Sequence, residues 1–409
     1  MISNWMQCQL GELFDFKNGL NAEKAAYGDG VPFVNVMDVF GNDILTAEII
    51  RGKMQATPKQ VEDYSVKRGD VLFNRTSETF DEIAMSAVYL DDQPAVFGGF
   101  VIRARPRDRR LNPHFCAYYF QSGSFRKELI RRGQGAVRAN IGQKDLAVVP
   151  AIVPTLPEQR RIAEILSAWD RAIATTEKLI ANSEAQKKAL MQQLLTGKKR
   201  LPGFDGEWKS ARLDVLFNFK KGQGISKQAV CEEGTHPCVL YGELYTRYRE
   251  VIDEVVSRTN SNDGVPSASG DLLIPASTTT SGIDLANVTA ISESGVKLGG
   301  DINILRMKKP NVSASFFAHY LTHVMKHDIA SRAQGITIIH LYAAHLKDLE
   351  VQLPPLAEQE KISDVILTAA KEINSQKEKL RKLNGEKSAL MQQLLTGKRR
   401  VAINKEEAA

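Results

Sequence analysis

Two stretches of the chain carry apolar residues at alternating intervals of four and three, a pattern typical of a helix that packs along another helix. Each stretch predicts a helix of about 38 residues, or roughly 57 Å at 1.5 Å per residue. A single domain core seldom needs that length, so we predict that the two helices pack on each other as an antiparallel coiled coil. The predicted seam consists of Ile162, Leu166, Trp169, Ile173, Ile180, Leu190 and Leu194, and of Ile362, Ile366, Ile373, Leu380, Leu383, Leu390 and Leu394.

The ends of both helices carry local signals. Thr155 with Glu158 fits a capping box and Pro157 fits a first helical turn. Gly197 and Gly397 fit the residue just past a helix end. Lys187 and Lys387 take seam positions that an apolar residue would ordinarily occupy, and we expect their amines to extend outward to solvent.

The chain is an internal duplication. Residues 189–198 recur unchanged as 389–398, and landmarks such as Trp5 and Phe14 return as Trp208 and Phe217. A period this long indicates two whole domains rather than a solenoid. The fold class is therefore expected to be α+β, with two tandem strand-rich domains each followed by a long helix. The predicted boundaries are 1–153 and 201–353 for the domains, 154–200 and 354–400 for the helices, and 401–409 for a short tail.

Two related but divergent domains held apart by a helix pair suit the reading of two different short elements on one extended ligand. DNA offers such elements one helical turn, about 34 to 36 Å, or more apart. Identical domains would have implied a palindrome, whereas divergent ones imply an asymmetric, split site.

Composition and charge add little to this picture. The net charge of +6, with 43% hydrophobic and 25% charged residues, is close to that of ordinary globular proteins, and no apolar run approaches a membrane span. We expect a cytoplasmic protein without a membrane segment. Arginines concentrate between residues 101 and 138, which fits either a phosphate-contacting surface or a solvated helix face.

No catalytic or metal-ligating residue is assigned from the sequence. Cys231, His236 and Cys238 lie close together, but a structural zinc site needs a fourth ligand and familiar spacing. Asn112 and Pro113 resemble part of an Asn-Pro-Pro-aromatic methyltransferase motif, yet the internal repeat lacks both residues. A helix cap at Asn112 with Pro113 in the first turn explains them without catalysis.

Polar residues that follow apolar runs in each domain are the candidate DNA contacts, although such segments are often mere turns. Asn74 follows the apolar run 71–73, so we expect its segment to leave a strand and enter a loop. Tyr241, Glu243 and Tyr245 either read bases or pack within a sheet. The candidates are Asn74, Arg75, Thr76, Ser77, Arg138, Asn140, Gln143, Lys144, Lys220, Lys221, Gln223, Tyr241, Glu243, Tyr245, Ser277, Thr278, Thr279, Thr337 and His340.

The order of these segments resembles the specificity subunit of type I restriction-modification systems. Both helices begin with P-x-L-x-E-Q and end with L-x-x-x-L-L-T-G-K. The segments GDVLFNR, NIGQKDL, YGELYT, GDLLIPAS and GGDINIL look like landmarks of that family's target recognition domains. The resemblance covers nearly the whole chain.

The resemblance implies a non-catalytic subunit in which each recognition domain reads half of a bipartite site on double-stranded DNA. The helices would set the spacer and bind two modification subunits that methylate adenine with S-adenosylmethionine. Restriction subunits that use ATP and Mg would join them, so no cofactor is expected in this chain. Two alternatives stay open: an adenine-specific DNA methyltransferase, and a coiled-coil scaffold without DNA specificity.

Overall fold

The first recognition domain is built from short strands and helices. The computed structural model describes residues 5–21, 26–135 and 138–403, so residues 404–409 of the predicted tail lie outside it. The strands are β1 (Met6–Gln9), β2 (Phe14–Asn18), β3 (Tyr27–Val34), β4 (Ile44–Leu45), β5 (Lys53–Met54), β6 (Ser65–Val66), β7 (Val71–Asn74), β8 (Thr76–Ser77), β9 (Ser86–Tyr89), β10 (Ala95–Phe97), β11 (Val101–Pro106), β12 (Ala139–Asn140) and β13 (Pro150–Val153). The helices are α1 (Leu10–Leu13), α2 (Val36–Gly41), α3 (Pro58–Asp63), α4 (Pro113–Tyr119), α5 (Gly123–Ile130) and α6 (Gln143–Ala147), followed by the long α7 (Leu156–Leu194).

The second half repeats this order. Its strands are β14 (Lys209–Arg212), β15 (Phe217–Lys221), β16 (His236–Val239), β17 (Val251–Ile252), β18 (Arg258–Thr259), β19 (Val265–Pro266), β20 (Asp271–Pro275), β21 (Ser277–Thr278), β22 (Thr289–Ile291), β23 (Lys297–Leu298), β24 (Ile302–Met307), β25 (Ile339–His340) and β26 (Glu350–Leu353). Its helices are α8 (Leu213–Leu216), α9 (Glu243–Thr246), α10 (Ala314–His323) and α11 (Lys326–Ser331), followed by the long α12 (Leu356–Leu394).

The sheets of the two halves have the same topology, although the sequences of the two domains have largely diverged. A five-stranded sheet has the order β2-β11-β7-β9-β4 in the first half and β15-β24-β20-β22-β17 in the second. A four-stranded sheet has the order β5-β3-β10-β6 and β18-β16-β23-β19. The innermost strands β7 and β20 are short apolar runs that are buried along their whole length, as expected of a strand covered on both faces.

A glycine in each half lies where two chain segments touch. A side-chain carbon on Gly19 would come within 2.0 Å of the Gly98 carbonyl oxygen, and one on Gly222 within 1.9 Å of the Gly299 oxygen. Only glycine permits that approach. Packing within each domain therefore requires glycine at both positions.

By contacts, the chain divides into two compact units. Unit 1 is formed by the described residues of 1–177 and 378–409, and unit 2 by residues 178–377. Each unit thus contains one recognition domain, the first half of the helix that follows it, and the second half of the other helix.

The two long helices pair, and they run antiparallel. In unit 1, Ile162 and Leu166 near the start of α7 share a core with Leu394 near the end of α12. In unit 2, Ile362 and Ile366 near the start of α12 share a core with Leu194 near the end of α7. All predicted seam residues are buried or half-buried. The predicted fold class, two tandem α+β domains each followed by a long helix that pairs with the other, is confirmed.

The helix ends have the predicted local geometry. Thr155 donates from its backbone N–H to Glu158 Oε2 over 3.2 Å, as in a capping box. Gly197 and Gly397 adopt φ angles of +68° and +69°, the left-handed conformation that closes a helix. Each helix has 39 residues, close to the expected length. Among the described residues, none of the helices combines the length and apolarity needed to cross a membrane.

A buried glutamate links the start of one long helix to the end of the other in each unit. In unit 1, Glu158 is 2% exposed and accepts hydrogen bonds from Arg400 Nε over 2.6 Å and from Trp5 Nε1 over 3.1 Å. Burial alone would raise the pKa of Glu158, but the hydrogen bonds from Arg400, Thr155 and Trp5 outweigh it and lower the pKa below its usual value. These contacts define the antiparallel register in unit 1.

The same arrangement recurs in unit 2. Glu358 is fully buried and accepts from Arg200 Nε over 2.6 Å, from Arg200 Nη2 over 2.7 Å and from Trp208 Nε1 over 3.3 Å. The Arg200 guanidinium also lies 5.8 Å from the centre of the Trp208 ring. The bidentate geometry makes this a strong, directional pair.

The prediction for the seam lysine Lys387 was wrong. Its amine does not extend to solvent but pairs with Asp170 over 2.5 Å in unit 1 and lies 5.6 Å from the centre of the Tyr118 ring. Asp170 also accepts a hydrogen bond from the Tyr118 hydroxyl over 2.6 Å. The reason is tertiary, because the partner carboxylate lies on the other helix and the ring on the recognition domain. The carboxylate and the ring take the place of solvent for the amine.

Candidate nucleic-acid interface

Two sequence-distant groups of predicted DNA contacts meet in the first recognition domain. Strand β8 pairs with β12, so that Thr76 lies opposite Asn140 and Ser77 opposite Ala139. The Thr76 hydroxyl donates to Asn140 Oδ1 over 2.9 Å. We call the β8 and β12 pair the first ribbon. The exposed side chains of Arg75, Arg138 and Asn140 lie on or beside it.

The second recognition domain contains an equivalent ribbon. Strand β21 pairs with β25, which sets Ser277 opposite His340 and Thr278 opposite Ile339. We call this pair the second ribbon. Thr279 and Thr337 next to it are exposed, and His340 is half-buried. The polar residues after β7 and after β20 were expected in loops, but they form short strands that pair with a distant segment. The pairing was not predictable from local patterns, because the two strands of each ribbon lie more than sixty residues apart in the sequence.

Several predicted contacts point inward. Asn74 is fully buried and donates to the Thr76 carbonyl over 3.5 Å. The hydroxyl of Ser77 donates to Glu82 over 3.1 Å, and that of Ser277 donates to Asp301 over 3.2 Å. Thr278 is 2% exposed. In this conformation these side chains hold the ribbons in place rather than face a ligand.

A basic cleft lies beside the second ribbon. Lys220, Lys221, His340, Tyr342 and Lys347 line this cavity of about 250 Å³. The rings of His340 and Tyr342 stack with centroids 5.9 Å apart, and the Tyr342 side chain is 52% exposed. Cationic groups beside an exposed aromatic ring suit contact with phosphates and bases.

Tyr342 and Lys347 were not among the residues predicted from the sequence, although a signal was present. Tyr342 lies in the segment 340–346, which repeats NIGQKDL of the first half, and Lys347 follows that segment directly. At the corresponding place in the first domain, the Gln143 amide lies 3.0 Å from the backbone of Phe16 and of Asn18 once oriented for hydrogen bonding. Lys144 next to it is exposed. The segment after the first ribbon therefore contacts β2, and the segment after the second ribbon lines the basic cleft together with β15.

The group Tyr241, Glu243 and Tyr245 forms a helical turn at α9, not a sheet. Glu243 accepts from the Leu240 N–H over 2.9 Å and from Arg247 over 3.2 Å, so its carboxylate is used within the domain. Tyr245 is half-buried, and burial raises its pKa although a hydrogen bond with Thr278 opposes the shift. Tyr241 remains 36% exposed. Gln223 is also exposed, on the turn after β15.

A second cleft, in the first recognition domain, was not predicted. It has a volume of about 550 Å³ and is lined by Tyr27, Phe33, Arg51, Lys53 and Phe100 together with several glycines. Phe100 is 65% exposed and Tyr27 44% exposed, and the Tyr27 and Phe33 rings meet edge to face at 5.1 Å. An open cleft with exposed rings and two cations is a suitable stacking platform for bases. Its residues are too scattered in the sequence to form a motif.

The arginine-rich stretch between residues 101 and 138 is largely committed to internal contacts. Arg105 pairs with the buried Asp70 over 2.7 Å, and Arg107 pairs with Asp15 over 2.8 Å. Arg126 donates to the Asp81 carbonyl over 2.8 Å, and Arg132 pairs with Glu128 over 3.1 Å. The clustering of charge along the sequence therefore reflects the stabilisation of this domain more than a continuous phosphate-contacting surface.

Asn112, the residue behind the methyltransferase alternative, is a helix cap. Its side-chain oxygen accepts from the Phe115 N–H over 3.0 Å, and Pro113 occupies the first turn of α4. Its own N–H donates to Gln159 Oε1 over 2.7 Å. Ser313 takes the same place in the second domain and donates from its N–H to Gln359 over 2.8 Å. The repeated contact ties each recognition domain to the start of its long helix.

Two domains of the same topology, each followed by a long helix that packs antiparallel to the other, make this a duplicated α+β protein. The chain belongs to the family of type I restriction modification DNA specificity domains, whose model matches residues 2–184 and again residues 205–384. It is thus a DNA specificity subunit of a type I restriction-modification system, a non-catalytic subunit.

Similar proteins span nearly the same length. The chain is 22% identical to the putative type I restriction enzyme MjaX specificity subunit of Methanocaldococcus jannaschii, over 97% of this chain and 94% of that protein. It is 21% identical to the MjaVIII specificity subunit of the same organism, over 69% of this chain and 70% of that protein.

Solved structures share the fold. The type I restriction-modification system S subunit from M. genitalium matches with a TM-score of 0.56 at 18% identity, covering 98% of this chain and 97% of that one. The HsdS subunit from Thermoanaerobacter tengcongensis matches with a TM-score of 0.54 at 17% identity, covering 96% of each chain.

Proposed function

We propose that each recognition domain reads one half of an asymmetric, bipartite site on double-stranded DNA, and that the helix pair sets the number of base pairs between the halves. The observation that carries this proposal is the pair of equivalent ribbons with different side chains. Asn140 on the first ribbon corresponds to His340 on the second, and the exposed Arg138 corresponds to Ile338. Because the same framework presents different groups, the two half-sites should differ in sequence.

The chemistry of the exposed groups suggests how the contacts divide. Lys220, Lys221 and Arg75 suit phosphates, which position a protein on DNA without reading sequence. The exposed Asn140 suits the edge of adenine in the major groove if its amide exchanges its bonds to Thr76 and to the Arg138 carbonyl for bonds to the base. The rings of Tyr27 and Phe100 suit stacking on a base that has left the helix. Acting on DNA, the chain would work in the bacterial or archaeal cytoplasm at the nucleoid.

The partners follow from the family. Two modification subunits would bind the helix pair and methylate adenine with S-adenosylmethionine, and restriction subunits would add ATP- and Mg-dependent cleavage. One structural neighbour belongs to a study of complex assembly and conformational transition of a type I system. Exposed helix residues such as Glu164, Arg171 and Gln192 are available for docking. The cofactors would be bound by the partners.

The test is a methylation map. The chain would be produced together with its modification subunit in a host without DNA methylation, and methyladenine would be located by single-molecule sequencing. We expect one split motif with a modified adenine in each half, which disappears when either protein is omitted. Methylation at a symmetrical motif, or by the modification subunit alone, would contradict the proposal.

Variants assign each half-site to its domain. Asn140→Ala should relax or abolish the specificity of one half and leave the other unchanged, whereas His340→Ala should do the reverse. Each good base contact contributes about 1 to 3 kcal/mol of discrimination. Exposed Lys59→Ala on α3, away from the long helices, serves as a control and should leave the motif intact. DNA binding that depends strongly on salt but not on sequence would support a scaffold instead.

A further inference from the structure

Two histidines and a glutamate come together in unit 2. His319 and His323 lie one turn apart on α10, and Glu250 immediately precedes β17. Nε2 of His323 lies 2.5 Å from Glu250 Oε1, and Nδ1 of His319 lies 4.0 Å from Glu250 Oε2. One potential ligand atom from each of the three lies within 4.8 Å of the other two. Two imidazoles and a carboxylate are ligands typical of transition metals.

His319 has no hydrogen-bond partner of its own. Its side chain is 3% exposed, and neither ring nitrogen has a partner among the described residues. A neutral imidazole ordinarily donates from one nitrogen and accepts at the other, so such a group in a protein interior needs an explanation. A metal ion bound by one of these nitrogens would supply the missing partner.

Unit 1 provides an internal comparison, because Tyr118, Asp170 and Lys387 form a closed network there. Asp43 corresponds to Glu250, since each accepts through its carbonyl from the equivalent strand, β9 or β22. Tyr118 corresponds to His319 and satisfies its hydroxyl on Asp170 over 2.6 Å. The position of Asp170 is taken by Ala370 in α12.

The replacement of aspartate by alanine leaves open space in unit 2. A cavity of about 140 Å³ is lined by Ala370, Glu250 and His323, together with Glu184, Lys187 and Arg249. The second half of the chain thus lacks the carboxylate that completes the network in unit 1, and His323 and Glu250 line the space instead.

We propose that Glu250, His319 and His323 form a binding site for a divalent transition-metal ion of the zinc class, with a fourth coordination position open to the cavity. Bonds of about 2.0 to 2.1 Å in a tetrahedral site place ligand atoms about 3.3 Å apart. His323 and Glu250 must therefore separate by about 0.8 Å, and His319 and Glu250 must approach by about 0.7 Å. Rotation of the half-exposed His323 side chain provides the first adjustment.

Nearby charges limit the affinity of this site. Lys187, Lys188 and Arg249 line the same cavity and repel a cation, whereas Glu184 is engaged with Lys377 over 2.6 Å. We therefore expect weaker binding than in a closed structural zinc site with four protein ligands. The bound ion would hold the end of α10 against the segment that enters β17, which stabilises the recognition domain beside the helix pair.

The test uses the full chain without a histidine tag, freed of metal with a chelator and titrated with Co²⁺ and then Zn²⁺. We expect one ion per chain, a visible cobalt absorption spectrum typical of tetrahedral coordination, and its loss on addition of Zn²⁺. Glu250→Gln and His323→Gln keep side-chain size and should each weaken binding at least about tenfold. His327→Ala, at an exposed histidine on α11, is the matched control and should bind as the wild type does.

His319→Ala should abolish binding, and its circular dichroism spectrum shows whether the variant folds. If His319→Ala does not fold, Glu250→Gln and His323→Gln decide whether the site binds the ion. Wild-type protein that binds no stoichiometric ion would overturn the proposal, as would equal binding by Glu250→Gln and His323→Gln. A thiolate charge-transfer band would assign the ion to the exposed Cys231 instead and would overturn it too. The readout does not depend on DNA recognition.

Discussion

Removing one buried glutamate should loosen one compact unit and leave the other intact. Glu158→Ala deletes the acceptor shared by Arg400, Trp5 and Thr155 in unit 1. Glu358→Ala is its matched counterpart in unit 2. The comparison is close, because both carboxylates are buried and both accept from an arginine and a tryptophan.

The expected magnitude follows from what remains after the substitution. Loss of one partner from a buried ion pair costs about 3 to 5 kcal/mol. Arg400 is 42% exposed and can be hydrated when Glu158 is absent, so we expect a value near the lower end, about 3 kcal/mol. For a unit of this size that corresponds to a fall in Tm of about 6 to 12 °C.

Hydrogen exchange measured by mass spectrometry separates the units. With Glu158→Ala, amides of 156–177 and 378–400 should lose about 100-fold in protection, since about 1.4 kcal/mol is tenfold, while those of 178–194 and 356–377 keep theirs. Glu358→Ala should give the opposite pattern. Equal loss in all four segments, or no loss in any, would refute the assignment of these contacts to separate units.

The pH dependence gives an independent check of the same contact. The pKa of Glu158 is lowered in the folded state, so its contribution to stability is complete above its unfolded pKa of about 4.3 and is lost as pH falls through the folded pKa. The difference in stability between wild type and Glu158→Gln should therefore shrink on acidification below about pH 4. A difference that stays constant down to pH 2 would contradict the origin assigned to it.

The remaining predictions concern other parts of the molecule. Asp170→Ala should lower the unfolding free energy of unit 1 by about 1 to 2 kcal/mol, measured by urea denaturation, because it removes the acceptor of Tyr118 and Lys387. The stability of unit 2 should not change, since its equivalent position is already an alanine, Ala370. Lys221→Ala should weaken binding to all DNA sequences alike and reduce the slope of log affinity against log salt by about 0.9 if the amine contacts a phosphate. A maleimide should label the exposed Cys231 quickly but the buried Cys116 only on unfolding, because burial raises the pKa of Cys116 to about 12. Insertion of one heptad in both helices should lengthen them by roughly 10 Å and widen the methylated motif by about three base pairs, and an unchanged spacer would refute the ruler role of the helices.

Features that depend on neighbouring residues were predictable. The seam of the long helices follows from intervals of three and four, since apolar residues at that spacing share one face. The glycines at 197 and 397 end the helices for a reason that acts within a few residues. The duplication predicted two domains of one fold before any contact was known.

The candidate interface was predictable only in part. Arg75 and Arg138 were identified as separate polar segments, and both are exposed beside the first ribbon. Asn74 was chosen by the same reasoning but is buried, because its position at the end of β7 turns its side chain inward. The arginines of residues 101–138 suggested a surface for phosphates, yet their carboxylate and carbonyl partners lie elsewhere in the sequence.

The sequence by itself determined the repeat, the helix lengths, their ends and the class of fold, because these follow from local spacing and from comparison of the chain with itself. Only the tertiary structure decided which polar groups meet. Glu158 finds Arg400 near the other end of the chain, and Lys387 finds Asp170 rather than solvent. Tyr118 donates to Asp170, whereas His319 at the equivalent position has no hydrogen-bond partner among the described residues. The physical reason is that a charge or hydrogen bond acts over a few ångströms in space, irrespective of the number of residues that separate its two groups along the chain.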